Sequence, residues 1–221
     1  MSEPVAIRAV VFDLDGTLVD SMPLVLRAFA HALEPFRAPL APMELFARLG
    51  GPPDRTFLDL LGNEPQAKEA LQRLISFSKT HWQLIQPFAG MDRLLAELQH
   101  AEFSLGLWTG RERESTEWIL REQQIAARLR TVVCGDDLPT HKPHPGGLAE
   151  ILRRFAVARE ATLFVGDGDV DVLAGAALGV RTLLIRHGRA VGAEVLAKAW
   201  RVVETPDEAY AVVRATVQAS V

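Results

Sequence analysis

Two aspartates separated by one residue stand directly behind an apolar run: Asp13-Leu14-Asp15-Gly16-Thr17 follows Ala9-Val10-Val11-Phe12. The run has the length and composition of a buried β-strand. Side chains alternate along an extended chain, so residues 13 and 15 point to the same side, and Gly16 lets the backbone turn sharply without a Cβ penalty. Two acids on one face concentrate negative charge. A carboxylate so placed can attack phosphorus to give an aspartyl-phosphate, and its neighbour can protonate the leaving oxygen and then activate water. The plainer reading is a strand that ends in an Asp-Gly turn or hairpin. Residues 22–34 speak against the hairpin, because Val25, Phe29 and Leu33 have helical spacing.

Three further segments offer matching chemistry, each just behind an apolar run. Thr109-Gly110 follows Phe103–Trp108. Gly135-Asp136-Asp137 and the loop His141-Lys142-Pro143-His144-Pro145 follow Thr131–Cys134. Gly166-Asp167-Gly168-Asp169-Val170-Asp171 follows Thr162–Val165. Several carboxylates gathered at one edge repel one another unless they hold a hard cation, and oxygen-only ligands select magnesium or calcium. Magnesium keeps several waters and is shared with substrate phosphate, which suits so few protein ligands. Thr109, the Gly110 amide and Lys142 can donate to phosphate oxygens, the lysine adding a compact positive charge. Phosphoryl transfer is mostly positioning and electrostatics, so this inventory suffices for it.

The elements that must position these residues are readable from periodicity. Four amphipathic stretches cover about residues 22–34, 43–49, 54–61 and 66–86, broken at Pro35, Pro39, Pro42 and Gly50-Gly51-Pro52-Pro53. From Pro87 the pattern changes. Helices near 91–100, 112–124, 146–155 and 170–178 alternate with strands near 103–108, 131–134, 162–165 and 182–185, and a helix near 206–219 follows. Such alternation predicts an α/β protein, a Rossmann-like parallel sheet with helices on both faces. The first strand lies at 6–12 and the next near 103. Residues 1–20 and 87–221 are therefore expected to form the core domain, with 21–86 as a small all-helical domain inserted in the first crossover. In an open parallel sheet ligands bind beyond the carboxyl ends of the strands, which is where all four segments fall.

Composition narrows the function. The net charge is −4, from 24 Lys and Arg against 28 Asp and Glu, with no basic cluster, so nucleic acid is not an expected partner. No apolar stretch is long enough for a membrane span, and Met1-Ser2-Glu3-Pro4 is not a basic leader. Cys134 is the only cysteine and sits in an apolar run, which reads as a buried small hydrophobe in a reducing compartment. A cytoplasmic location is expected.

Together, Asp13-x-Asp15-Gly16-Thr17, Thr109 behind a strand, Lys142-Pro143 and Gly166-Asp167-x-x-x-Asp171 resemble the four motifs of the haloacid dehalogenase-superfamily hydrolases. Within them the chain is most similar to the phosphoglycolate-phosphatase-like group with an inserted helical cap. The resemblance implies Asp13 as nucleophile and magnesium ligand, and Asp15 as general acid and base that binds metal through its backbone carbonyl. It implies Thr109, Gly110 and Lys142 at the phosphoryl group, Asp167 on magnesium with Asp171 in support, and a mobile cap over the site. Dehalogenases of the family lack an acid at the position of Asp15, so its presence favours an oxygen leaving group and a small phosphorylated metabolite as substrate. Hexose-phosphate mutases share both acids and stay open as an alternative. Phosphonate hydrolases of the same shape use a cap lysine; here Lys68 and Lys79 read better as a charged helix face. Arg55, in the interhelical loop that faces the core in this family, and Arg111 are candidates for a substrate anion, as is the cluster Arg186-His187-Gly188-Arg189.

Readings from other classes fare worse. Asp167-Gly168-Asp169-Val170-Asp171 mimics the start of an EF-hand loop, yet Val172 and Leu178 stand where the turn Gly and the bidentate Glu belong. Gly166-x-Gly168 lacks the third glycine of a dinucleotide fold, and two aspartates would repel a pyrophosphate. A non-catalytic binding protein on the same scaffold finds no support in any departure from the four motifs. His141 and His144 read as solvated, and Trp108 as strand packing. Oligomeric state is not legible.

Overall fold

The computed structural model describes residues 5–46, 48 and 53–219. The chain forms two compact units, Met1–Asp20 with Pro87–Val221, and Ser21–Gln86. Among the described residues no helix is long and apolar enough to cross a membrane.

Strand β1 (Ala9–Phe12) is fully buried and ends at Asp13. A short strand β2 (Val19–Asp20) leads into the helical unit of α1 (Met22–Leu33), α2 (Pro42–Phe46), α3 (Pro53–Leu61) and α4 (Glu64–Thr80). Helix α1 buries Leu24, Ala28, Phe29, Ala32 and Leu33, an i, i+4, i+5 stripe of which Phe29, Ala32 and Leu33 cluster with Phe57 of α3 and with Ala67 and Ala70 of α4. The Phe29 and Phe57 rings lie 4.8 Å apart. Asn63 caps α4 by accepting from Gln66 N at 3.0 Å. The spacing predicts a helix running to 86, but α4 stops at Thr80. There the Thr80 hydroxyl donates to Phe77 O at 3.1 Å and His81 Nδ1 to the same carbonyl at 2.8 Å, satisfying the final turn from side chains. A 3₁₀ turn, Trp82–Leu84, follows.

The core unit resumes with β3 (Gln86–Pro87), which pairs with β2 in a two-stranded sheet. There follow α5 (Met91–His100), β4 (Ser104–Trp108), α6 (Arg113–Glu122), β5 (Thr131–Val133) and α7 (Gly146–Phe155). The chain continues with β6 (Thr162–Gly166), α8 (Asp169–Leu178), β7 (Arg181–Ile185), α9 (Ala193–Lys198), β8 (Arg201–Val203) and α10 (Pro206–Gln218). Six strands form one sheet in the order β5-β4-β1-β6-β7-β8, with every pair parallel. One face is filled by Val11, Trp108, Phe164 and the apolar stripe of α7, Leu148, Ile151, Leu152 and Phe155. At Gly106 of β4 a Cβ would stand 3.0 Å from Ile151 and 3.1 Å from Phe155, so glycine eases the close approach of α7.

Strand order reverses at β1: the chain steps from it to β4 and β5 on one side, then returns to β6 and moves outward to β7 and β8. That reversal opens a crevice beyond the carboxyl end of β1. Phe12 is level with Leu107 of β4 and Val165 of β6, so Asp13, Thr109 and Asp167 leave the sheet side by side.

The sixth strand, β8, and helix α9 were not expected from the sequence. Strand β8 is three residues long at the sheet edge and largely exposed, Val202 included, so it carries no apolar run or alternation.

Candidate active site

Backbone geometry carries the first carboxylate into place. Asp13 N donates to Val165 O at 2.8 Å, continuing the β1–β6 ladder one residue past the strand. Beyond it the chain turns back, with Thr17, Leu18 and Val19 N all donating to Leu14 O and Gly16 N to Val19 O. Gly16 sits at φ +70°, and a methyl there would run into the Asp167 carboxylate. Glycine is thus required for both conformation and space.

The side chain of Asp13 is 7% exposed as a residue, and its Oδ1 accepts from Lys142 Nζ at 2.7 Å. The same ammonium lies 2.7 Å from Asp171 Oδ1. It rests above Trp108 and Phe164, 5.0 and 5.5 Å from their ring centres. Trp108 is therefore both core packing and the floor under the lysine. Asp171 is 1% exposed, and its Oδ2 accepts from Gly168 N at 2.9 Å, satisfying the N-cap amide of α8 from the third helical position. Carboxylate oxygens of Asp13, Asp167 and Asp171 lie within 4.8 Å of one another. Thr109 is 1% exposed, anchored by Thr109 N to Val133 O at 3.0 Å, and its hydroxyl accepts from Arg111 N. Gly110 is exposed beside it.

Three acids and one lysine leave this pocket short of positive charge. Burial pushes the Asp13 carboxyl up to about 7, opposed by Lys142 and assisted by Asp171. Burial, then Asp13 and Asp171, push Asp167 up to about 8. Lys142 is pulled down by burial, but Asp13 and Asp171 outweigh that and hold it above its ordinary value. The donor set is oxygen only, and burial with mutual repulsion raises Asp13 and Asp167 towards neutrality. This is the chemistry of a site for a hard divalent ion, and magnesium fits it.

Asp15 faces a different partner. Arg111 donates through Nε to Asp15 Oδ2 at 2.6 Å and through NH2 to Asp15 Oδ1 at 2.7 Å, a two-pronged pair with both groups partly exposed. Arg55 lies exposed on α3 in the helical unit, and residues 50–52 of the loop before it are outside the described residues. Lys68, Lys79, His141 and His144 are exposed.

The side chains of Arg186, His187 and Arg189 are engaged within the chain. Arg186 pairs with Glu204 at 2.5 Å, His187 Nε2 meets Gly16 O at 2.7 Å, and Arg189 donates to Asp169 Oδ1 at 2.7 Å and to Asp167 O. Tyr210 of α10, 1% exposed, donates to Thr17 O at 2.7 Å. Sequence reasoning missed these contacts with the acidic loops. The one signal for them was the run of arginine, histidine and arginine side chains directly after the last apolar strand.

Comparison with known proteins agrees with the fold and the motifs. The haloacid dehalogenase-like hydrolase family matches residues 10–185, from β1 through the end of β7. A phosphoglycolate phosphatase of Yersinia pseudotuberculosis is 33% identical over 191 residues, covering 83% of this chain and 82% of its own. Phosphoglycolate phosphatase 1 of Pseudomonas aeruginosa is 30% identical over 201 residues, covering 85% and 74%. A haloacid dehalogenase-like hydrolase from Streptococcus pneumoniae superimposes with a TM-score of 0.77 at 25% identity, covering 94% of this chain and 98% of that one. The chain belongs to the haloacid dehalogenase-like hydrolases.

Proposed function

We propose that the chain is a magnesium-dependent phosphatase of small phosphorylated metabolites, acting through an aspartyl-phosphate on Asp13. The observation that carries this is the Asp13 carboxylate at the mouth of the sheet, held by Lys142 on one oxygen with Asp167 and Asp171 beside it. Asp13, Asp167 and the backbone carbonyl of Asp15 would hold the ion, with Asp171 in support. Bound there, magnesium supplies positive charge against the phosphoryl oxygens.

With Oδ1 occupied by Lys142, the other oxygen of Asp13 attacks phosphorus. The bond from phosphorus to the leaving oxygen breaks, and a proton from Asp15 passes to that oxygen. Water then attacks the aspartyl-phosphate, gives its proton to Asp15, and inorganic phosphate leaves Asp13 regenerated. Thr109, the Gly110 amide and Lys142 donate to the phosphoryl oxygens throughout. Because Asp15 is paired on both oxygens with Arg111, it must exchange that partner for a proton before the first step. An anionic group on the substrate is the natural competitor for the guanidinium, which gives Arg111 a place in substrate binding. The helical unit, Arg55 with it, would serve as the cap that excludes water.

The relatives named phosphoglycolate phosphatase make phosphorylated carboxylic acids the first compounds to assay. Phosphate release from a panel of phosphorylated metabolites, with and without magnesium, tests the reading. Turnover is expected to need magnesium and to vanish in Asp13→Asn, with the variant still folded. Full activity of Asp13→Asn on p-nitrophenyl phosphate would refute the covalent route. An isomeric sugar phosphate accumulating in place of free phosphate would make the protein a mutase.

A further inference from the structure

The two loops that carry the acids are fastened from outside by side chains that lie beyond residues 10–185, the stretch over which the haloacid dehalogenase-like hydrolase family matches. In the turn after Asp15, consecutive carbonyls are each taken by a donor. Gly16 O accepts from His187, Thr17 O from Tyr210, and Leu18 O from Phe88 N at 3.0 Å. A carbonyl can only accept, so His187 Nε2 carries the hydrogen. The His187 ring also stacks on Phe88, their centres 5.8 Å apart. On the facing loop, Arg189 bridges the Asp167 carbonyl and the Asp169 carboxylate.

These donors are themselves anchored. Arg186 N and His187 N donate to Val203 O and Glu204 O, at 2.9 and 3.0 Å, so the segment hangs from the end of β8. His187 takes the left-handed conformation, φ +49°, followed by Gly188 at +72°. A non-glycine residue rarely rests there, and here the strained backbone is what aims the imidazole at Gly16. The two loops meet where Gly16 faces the Asp167 carboxylate with no room for a methyl, so a small shift of either loop changes the spacing of the acids.

We propose that His187, Arg189 and Tyr210 are positioning residues: a clasp that sets the spacing of the Asp13–Asp15 and Asp167–Asp171 loops and thereby the affinity for the divalent ion. The inference rests on the magnesium reading of the acidic cluster. Residues that orient ligands without touching the ion commonly change metal affinity by about 10–100-fold.

The test is titration calorimetry of the full chain with magnesium chloride, without substrate, together with activity at saturating magnesium. Arg189→Met and His187→Ala are each expected to weaken magnesium binding about tenfold, with turnover at saturating magnesium within about threefold of wild type. His187→Gln retains an N–H donor and should recover most of the loss. Tyr210→Phe deletes one hydroxyl and keeps the packed ring, so it should fold and show a smaller loss of the same sign. Amide exchange should quicken at residues 14–19 in each weakened variant. Wild-type affinity retained in Arg189→Met and His187→Ala would overturn the clasp, as would an equal defect in His187→Gln and His187→Ala. A wild-type protein that binds no magnesium would overturn the reading of the site, and the clasp with it.

Discussion

The acidic cluster gives the metal-free protein a stability that falls as pH rises, and magnesium should reverse it. Asp13 moves from the ordinary carboxylate value of 3.8 to about 7 in the fold, and Asp167 from 3.8 to about 8. Between about pH 4 and 7 the folded state therefore holds protons that the unfolded chain has released. Stability then falls with increasing pH, because its slope follows the protons bound unfolded minus those bound folded. Rises of this size correspond to at most about 4 kcal/mol for Asp13 and about 6 kcal/mol for Asp167. Coulomb repulsion gives the same order, since two charges at the 4.8 Å limit of the cluster repel by about 3 kcal/mol at an effective dielectric constant of 20. Both values already include the attraction of Lys142; between pH 5 and pH 8 each carboxyl accounts for about 3 kcal/mol, so about 3–6 kcal/mol should be lost for the pair, against a total of about 5–15 kcal/mol. Magnesium at about a hundred times its dissociation constant should return about 2.7 kcal/mol at pH 8 and much less at pH 5, where protons compete for the same oxygens. Urea unfolding at both pH values, in EDTA and in magnesium, measures all four quantities. Metal-free stability that was flat or rising from pH 5 to pH 8 would refute the reasoning, as would a magnesium increment that did not grow with pH. Asp167→Asn should flatten the metal-free profile.

Other consequences are open to direct measurement. Asp15→Asn should lose about 10²–10⁴ in rate on alkyl phosphates, which need a proton on the leaving oxygen. On p-nitrophenyl phosphate it should show a burst of one equivalent of phenolate followed by slow turnover; a linear time course without a burst would deny Asp15 its part in hydrolysing the intermediate. Gly16→Ala places a methyl against Asp167 in a left-handed backbone, and should cost about 1–3 kcal/mol while abolishing magnesium-dependent turnover; wild-type melting and activity would contradict the packing described. Arg111→Ala breaks a partly exposed pair and should change stability by less than about 1 kcal/mol. It should raise KM for phosphorylated carboxylic acids more than for p-nitrophenyl phosphate, and equal effects on both would remove Arg111 from anion recognition.

The residues proposed to carry the chemistry are recognisable by type, because phosphoryl transfer restricts what may stand at the end of a strand. Asp13, Thr109 and Asp167 stand directly past strands, where a parallel sheet delivers them to one edge, and Lys142 and Asp171 follow in the loop after β5 and the first turn of α8. The parts that set distances leave no such trace. His187, Arg189 and Tyr210 reach backbone carbonyls, acceptors that every residue possesses, across sequence separations of 171, 22 and 193 residues. A side chain aimed at a carbonyl does not constrain the type of the residue it meets, so no pairing of types betrays it. The strand that supports the clasp is equally silent, since β8 lies at an edge and needs no apolar face. Arg186-His187-Gly188-Arg189 shows how the two kinds of residue are confused. Cationic groups at the active edge of an α/β sheet read as substrate contacts, yet their donors go to Gly16 O, Asp167 O and the carboxylates of Asp169 and Glu204. A cation beside clustered acids has two possible duties, meeting an anionic substrate or holding the acids apart at a fixed spacing. In this chain Arg111, paired with an acid that has to be released, suits the first, and Arg189, tied to a backbone that must stay still, suits the second.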